Sequence, residues 1–255
     1  MRSSIARGGV AAFGSARFSS SLGVGAGAGF GVDKSDVGEN GTRSEASSLS
    51  GFVYGSYAAS RQIFVDGVVG VSKLEFDSRR YVSHTGNMVT GSRSGDQVFG
   101  AVSAGYVGEW GGWRLSPYGR LEYLFTELAG FTERGDDTFA LRFNRQSLDQ
   151  VTGVLGLRGE YGIQMDAGLL SPSFRAEYRA ALSGAGKSEV AYADWLASPV
   201  YQVGVASYDD RRLMLGLGLR WTGVNGWSFS ADADSSVADS GGDAMGVRIG
   251  GSGKF

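Results

Sequence analysis

The single histidine of the chain, His84, stands in the segment Tyr81-Val82-Ser83-His84-Thr85-Gly86-Asn87. A histidine with acidic or hydroxyl partners is the usual general base of a hydrolase. No spacing along the sequence supplies such partners, so His84 reads as an exposed loop residue. One histidine cannot build a histidine-cluster metal site. The absence of cysteine removes thiol nucleophiles, zinc knuckles and disulfides. The acidic pairs Asp136-Asp137 and Asp209-Asp210 lie in loop-like sequence and read as solvated carboxylates rather than calcium ligands. Gly23-Val24-Gly25-Ala26-Gly27-Ala28-Gly29 lacks the Lys-Ser/Thr ending and the following helix of a phosphate loop. It reads as a strand whose small residues permit tight curvature. The sequence therefore offers no catalytic residue, cofactor site or metal site, and the chain reads as not an enzyme.

What remains is a set of charges at period two. Arg120, Glu122, Arg158, Glu160, Arg175, Glu177, Arg179, Arg220, Asp232, Asp234, Arg248 and Lys254 all share parity with polar neighbours, opposite to apolar ones. Leu213, Leu215, Leu217, Leu219 and Trp221 alternate with Arg212, Met214, Gly216, Gly218 and Arg220. Trp227, Phe229, Ala231 and Ala233 alternate with Ser228, Ser230, Asp232 and Asp234. Period two places one set on each face of a strand. Opposite charges on neighbouring strands can pair across the ladder. The charged face can be an ion-pair scaffold, the lining of a path for a polypeptide, or both.

Composition narrows the class that holds such a face. Gly accounts for 43 of 255 residues and Pro for 3, hydrophobic residues make up 42%, and the formal net charge is −2. That is too apolar for a disordered chain, and the Gly has no collagen period. No basic tail or stripe suggests a nucleic-acid partner. No run approaches the ~20 apolar residues of a membrane helix. If the chain crosses a membrane it does so as a barrel, the other structure that satisfies every backbone group in lipid. The start, Met1-Arg2-Ser3-Ser4-Ile5-Ala6-Arg7, has the charge of a leader but no long apolar stretch behind it. It reads as a fragment that begins inside the barrel.

Strands are expected at roughly 17–32, 46–58, 61–77, 93–109, 112–128, 147–164, 168–183, 210–222, 225–236 and 244–255, with a further one at 3–14. Many exceed the ~5–6 residues of ordinary strands and suit the ~9–11 needed to cross a bilayer. Connections at 59–60, 110–111, 165–167 and 223–224 are short, whereas those at 33–45, 78–92, 129–146 and 184–209 are long. Short periplasmic turns opposite long outside loops are the pattern of outer-membrane barrels. A soluble sandwich also alternates, with its apolar face as core. Against it stand charges deep in the strands and aromatics near strand ends, Trp113, Tyr123, Phe125, Tyr161, Tyr178, Trp221 and Trp227, as in an aromatic girdle. The fold class expected is all-β, an antiparallel transmembrane β-barrel.

Leu115-Ser116-Pro117-Tyr118-Gly119-Arg120-Leu121-Glu122-Tyr123 matches Leu170-Ser171-Pro172-Ser173-Phe174-Arg175-Ala176-Glu177-Tyr178 as L-S-P-x-x-R-x-E-Y. The proline opens each strand, where a missing ladder donor is tolerated. The first copy, followed by Gly130-Phe131-Thr132-Glu133-Arg134-Gly135, resembles the autotransporter β-domain pattern of a "PY-x-x-L-x-Y" strand leading to a "GF-x-E-x-G" loop. Gly153 to Arg158, Ser171 to Arg179 and Leu215-Gly216-Leu217-Gly218-Leu219 resemble its later strands, although Ala180 stands where His is common. The resemblance covers roughly residues 20–255. It implies a barrel of twelve strands over 1–255, with 1–16 a first strand or a truncated pore segment. It also implies outer-membrane lipid, the barrel-assembly machinery and a passenger polypeptide in the pore as partners. Phe255 would be the terminal aromatic read as the assembly signal, although Gly251 and Gly253 replace the usual bulky residues before it. The implied role is export of an N-terminal passenger to the cell surface. The alternatives are a free-standing pore or structural barrel, or a barrel protease or lipase using His84.

Overall fold

A computed structural model describes residues 3–38, 40–184, 186–193, 201–205, 211–239 and 243–253. The main sheet is built from eleven long strands in chain order: β1 (Ser3–Arg17), β2 (Leu22–Val37), β3 (Thr42–Ala58), β4 (Ile63–Tyr81), β5 (Met88–Tyr106), β6 (Trp113–Leu128), β7 (Gln146–Tyr161), β8 (Gly168–Ser183), β9 (Arg211–Gly223), β10 (Ser228–Ala238) and β11 (Ala244–Ser252). Each pairs antiparallel with its neighbour in sequence. Ser3–Arg17 is thus a strand, paired with β2 along its whole length. An odd number of alternating strands leaves β1 and β11 running the same way, and among the described residues they are not paired with each other. A second, four-stranded sheet joins Phe131–Thr132, Leu141–Phe143, Gly186–Tyr192 and Tyr201–Val205.

The burial pattern is inside-out. Leu155 is 71% exposed and Leu217 70%, with Leu121, Val69 and Val247 also exposed on the same face. On the other face Glu177 is buried at 2%. In water, an exposed side chain of this size forgoes about 1.5–3 kcal/mol of burial. Repeated on strand after strand, this makes an apolar surface far beyond what a water-soluble monomer shows. The arrangement is that of a transmembrane barrel, apolar outside and polar within.

Glycine allows the sheet to curve. In β2, Gly25 and Gly27 lie under the Tyr54 and Phe52 rings of β3; a Cβ there would come within 2.3 and 2.6 Å of a ring carbon. Phe99 covers Gly70, Phe64 covers Gly105 and Tyr118 covers Gly156 in the same way. Aromatics thus shield glycines whose bare backbone bends. The Arg158 guanidinium lies 4.9 Å from the centre of the Phe64 ring, although β5 and β6 separate their strands. Such a reach requires a strongly concave face.

Two expected loops prove to be largely strand. The connections read at 33–45 and 78–92 shrink to 38–41 and 82–87, because β2, β3, β4 and β5 continue past the apolar band. On β4 the outward row runs Ile63, Val65, Gly67, Val69, Val71 and then Lys73, Glu75, Asp77, Arg79. Above the band the outward row is charged and the inward row mixes Leu74 and Phe76 with Ser78 and Arg80, so apolar-out alternation disappears while the backbone ladder continues. Ion pairs decorate this extension: Lys73 with Asp96, Lys34 with Glu45 at 3.4 Å, and Arg43 with Asp36 at 2.8 Å. Only 129–145 and 184–210 remain long connections at that end. The other end carries the short ones, including 18–21 and 59–62.

Candidate functional site

The inner face carries one continuous polar network at mid-height. Alternation turns Tyr118, Arg120 and Glu122 of β6 inward, with Arg175, Glu177 and Arg179 of β8. Between them β7 presents Thr152, Val154 and Gly156, small enough for the flanking side chains to meet above it. The Tyr118 hydroxyl donates to Glu177. Arg120 donates to Glu177 through both terminal nitrogens, at 2.9 and 3.3 Å, and through Nε to Glu122 at 2.7 Å. Arg179 donates to the other Glu122 oxygen. Arg175 and Arg179 each stand 3.9 Å from Glu177. A charge as buried as Glu177 is tolerable only with such compensation. The network ties together strands roughly 10 Å apart.

The other expected charges are not in this network. Arg158, Glu160, Arg220, Asp232, Asp234 and Arg248 share its face by alternation, and among the described residues none forms an ion pair. Asp232 faces Arg248 in register, and one Asp232 oxygen lies 2.5 Å from where a Gly218 Cβ would be, so glycine leaves room for the carboxylate. Lys254 and Phe255 lie outside the described residues, as does the pair Asp209-Asp210.

Sequence reasoning missed a second cluster, at the long-loop rim. Glu133 is buried and receives Arg80 through two nitrogens, at 3.1 and 2.6 Å, and the Leu141 amide at 3.0 Å. Arg80 also donates to the Phe139 carbonyl at 2.9 Å. Phe131 stacks on Phe143 with centroids 4.6 Å apart and presses over Gly91 of β5. These contacts fold the 129–145 connection against the inner side of β4 and β5. Asp136 caps the turn beyond, accepting from the Thr85 hydroxyl at 2.6 Å, the Phe139 amide at 2.9 Å and Asn87 at 3.0 Å. These bonds, led by Thr85, pull its pKa down to about 2. The only sequence signal for the cluster was Glu133 within the "GF-x-E-x-G" segment. His84 packs on the Phe139 ring at 5.7 Å, and among the described residues no side chain hydrogen-bonds to it. No group of three potential metal ligands occurs among them either.

The family model for the autotransporter β-domain matches residues 3–234. The chain belongs to the autotransporter β-domain family. Its sheet is similar to the translocator domain of autotransporter NalP from Neisseria meningitidis, with a TM-score of 0.79 at 17% identity over 99% of this chain and 82% of that one. It is also similar to the β-domain of the Bordetella autotransporter BrkA, with a TM-score of 0.62 at 15% identity over 97% and 87% of the two chains. At these identities the likeness concerns the fold. Comparison with curated proteins gives no match. An autotransporter β-domain is a transport barrel, and the inside-out strands of this chain are the physical form of one.

Proposed function

We propose that this β-domain sits in the bacterial outer membrane, anchors a passenger joined on its N-terminal side and helps that passenger reach the cell surface. The observation that carries the reading is the pairing of an exposed apolar face with a charged, concave inner face in a chain of the autotransporter family. The polar side chains keep the interior wet, so a polypeptide in transit would exchange hydrogen bonds with water and guanidinium groups rather than with hydrocarbon. The short-turn end would face the periplasm. No step of export needs bond chemistry from the barrel, so it acts as a conduit rather than an enzyme.

The test is a surface-display assay. An epitope reporter joined ahead of Met1 should become accessible to external protease in intact cells, and should stay inside when strands β9 to β11 are removed. A reporter that remains protected with the full β-domain in the outer membrane would refute the reading. We further propose that Phe255 is the signal for the barrel-assembly machinery. Its deletion should lower outer-membrane yield in cells far more than refolding into detergent, since one aromatic side chain contributes only a few kcal/mol. An unchanged yield would place that signal elsewhere.

A further inference from the structure

Below the mid-height network, toward the short-turn end, the inner face opens into a recess of about 950 Å³. Among the described residues six arginines line it, Arg61, Arg114, Arg158, Arg175, Arg220 and Arg248. Four described carboxylates, Glu109, Glu160, Asp232 and Asp234, also reach it, an excess of two positive charges among these ten. Among the described residues none of the ten forms an ion pair with another of them. The cross-strand register sharpens the imbalance. Glu160 stands opposite Arg114, and Asp232 opposite Arg248, but Arg158 stands directly opposite Arg175. Like charges at opposed positions destabilise a sheet. Arg175 has a distant neighbour in Glu177 at 3.9 Å, whereas Arg158 has only the face of the Phe64 ring.

We infer that the space between Arg158 and Arg175 is a seat for a carboxylate of the polypeptide in transit, so that the short-turn mouth favours acidic segments. The inference rests on the translocator reading and adds the chemistry of the partner. Arg158 has no acid partner and Arg175 has only Glu177 at 3.9 Å, so an anion placed beside them relieves the repulsion, and two arginines can hold one carboxylate from both sides. The occupant is a polypeptide rather than a nucleic acid. Glu160, Asp232 and Asp234 would repel an unbroken row of phosphates, whereas a peptide can present a carboxylate to Arg158 and amides or basic groups to the acids.

Fluorescence anisotropy of labelled hexaglutamate, hexaserine and hexalysine on the full chain folded in detergent tests this. Hexaglutamate should bind about tenfold tighter than hexaserine at low salt, and the preference should vanish near 0.5 M salt, where charge–charge attraction is strongly screened. Arg158→Gln should weaken hexaglutamate binding about threefold while raising resistance to urea, because it also removes the repulsion. Arg248→Gln, which faces an acid, should change binding less. A purely structural role for Arg158 would not weaken the peptide while strengthening the fold. Equal binding of hexaglutamate and hexaserine, or tighter binding of a thymidine hexanucleotide, would overturn the inference. So would an Arg158→Gln variant that binds as the parent does. The binding assay does not depend on export. Display of the reporter without a hexaglutamate preference would therefore refute this inference alone, and a preference without display would refute the translocator reading alone.

Discussion

Glu177 and Glu122 belong to one network and differ in burial, their side chains being 1% and 25% exposed. Removing Glu177 strands the Tyr118 hydroxyl and leaves Arg120 with one partner in a water-poor setting. Glu177→Ala should therefore cost about 3–5 kcal/mol, the range for breaking a buried pair. Glu122→Ala should cost about 1 kcal/mol, because water can reach Arg179 and Arg120. Urea unfolding of the detergent-folded protein measures both, and equal costs would mean that burial is not what sets the energy. At the rim, Asp136 gives a pH signature. Its carboxyl is depressed to about 2 from an ordinary 3.8, so its contribution is complete above the ordinary value and is lost as pH falls through about 2. Pepsin should spare the 129–145 connection near pH 4 and cut it as pH approaches 2. Asp136→Ala should make it cleavable at both. Cleavage of the parent protein at both pH values would show that the cap does not hold the turn.

The strand faces yield a sharper contrast in β9. Leu217 lies on the exposed apolar face near the middle of the strand, whereas Met214 points inward toward Arg179, whose Nη1 lies 4.0 Å from its sulfur. Leu217→Arg should cost roughly 2–4 kcal/mol at mid-bilayer depth, and Met214→Arg less, because its charge stays wet. The opposite order of folding free energies would put β9 one residue out of register. Strand faces were legible in the sequence because period two is a local property: β8 was expected at 168–183 and lies at Gly168–Ser183. The ends of β4 and β5 were not, because the outward row turns polar there while the inward row of β4 mixes Leu74 and Phe76 with Ser78 and Arg80, so polarity stops alternating. The partner of Glu177 was hidden for a different reason. The L-S-P-x-x-R-x-E-Y repeat aligns Arg120 with Arg175, yet Arg120 pairs with Glu177, two residues further along. Across β7 the ladder sets Arg120 level with Arg179 and Tyr118 level with Glu177, so Arg120 reaches Glu177 diagonally, and parity fixes a face without fixing register. Glu133 was hidden because its partner Arg80 is 53 residues away on another strand.

At the scale of the molecule, one sheet presents two faces suited to two different solvents. In the proposed membrane setting lipid would take the exposed row of Leu213, Leu215, Leu217 and Leu219, and water the row that carries Met214, Gly216 and Arg220. The inner charges then have two uses: the central network braces β6, β7 and β8, and in the proposed role the arginines below it would face whatever passes. A soluble sandwich with the same alternation would bury the leucines and expose the arginines to bulk water. The absence of cysteine makes the distinction directly measurable, since any introduced thiol is unique. Single cysteines at positions 214 to 219, in outer-membrane vesicles, would be challenged with a charged, water-borne maleimide. The account predicts fast labelling at 214, 216 and 218 and protection at 215, 217 and 219. Labelling at the leucine positions with protection at the others, or uniform labelling of both rows, would contradict it.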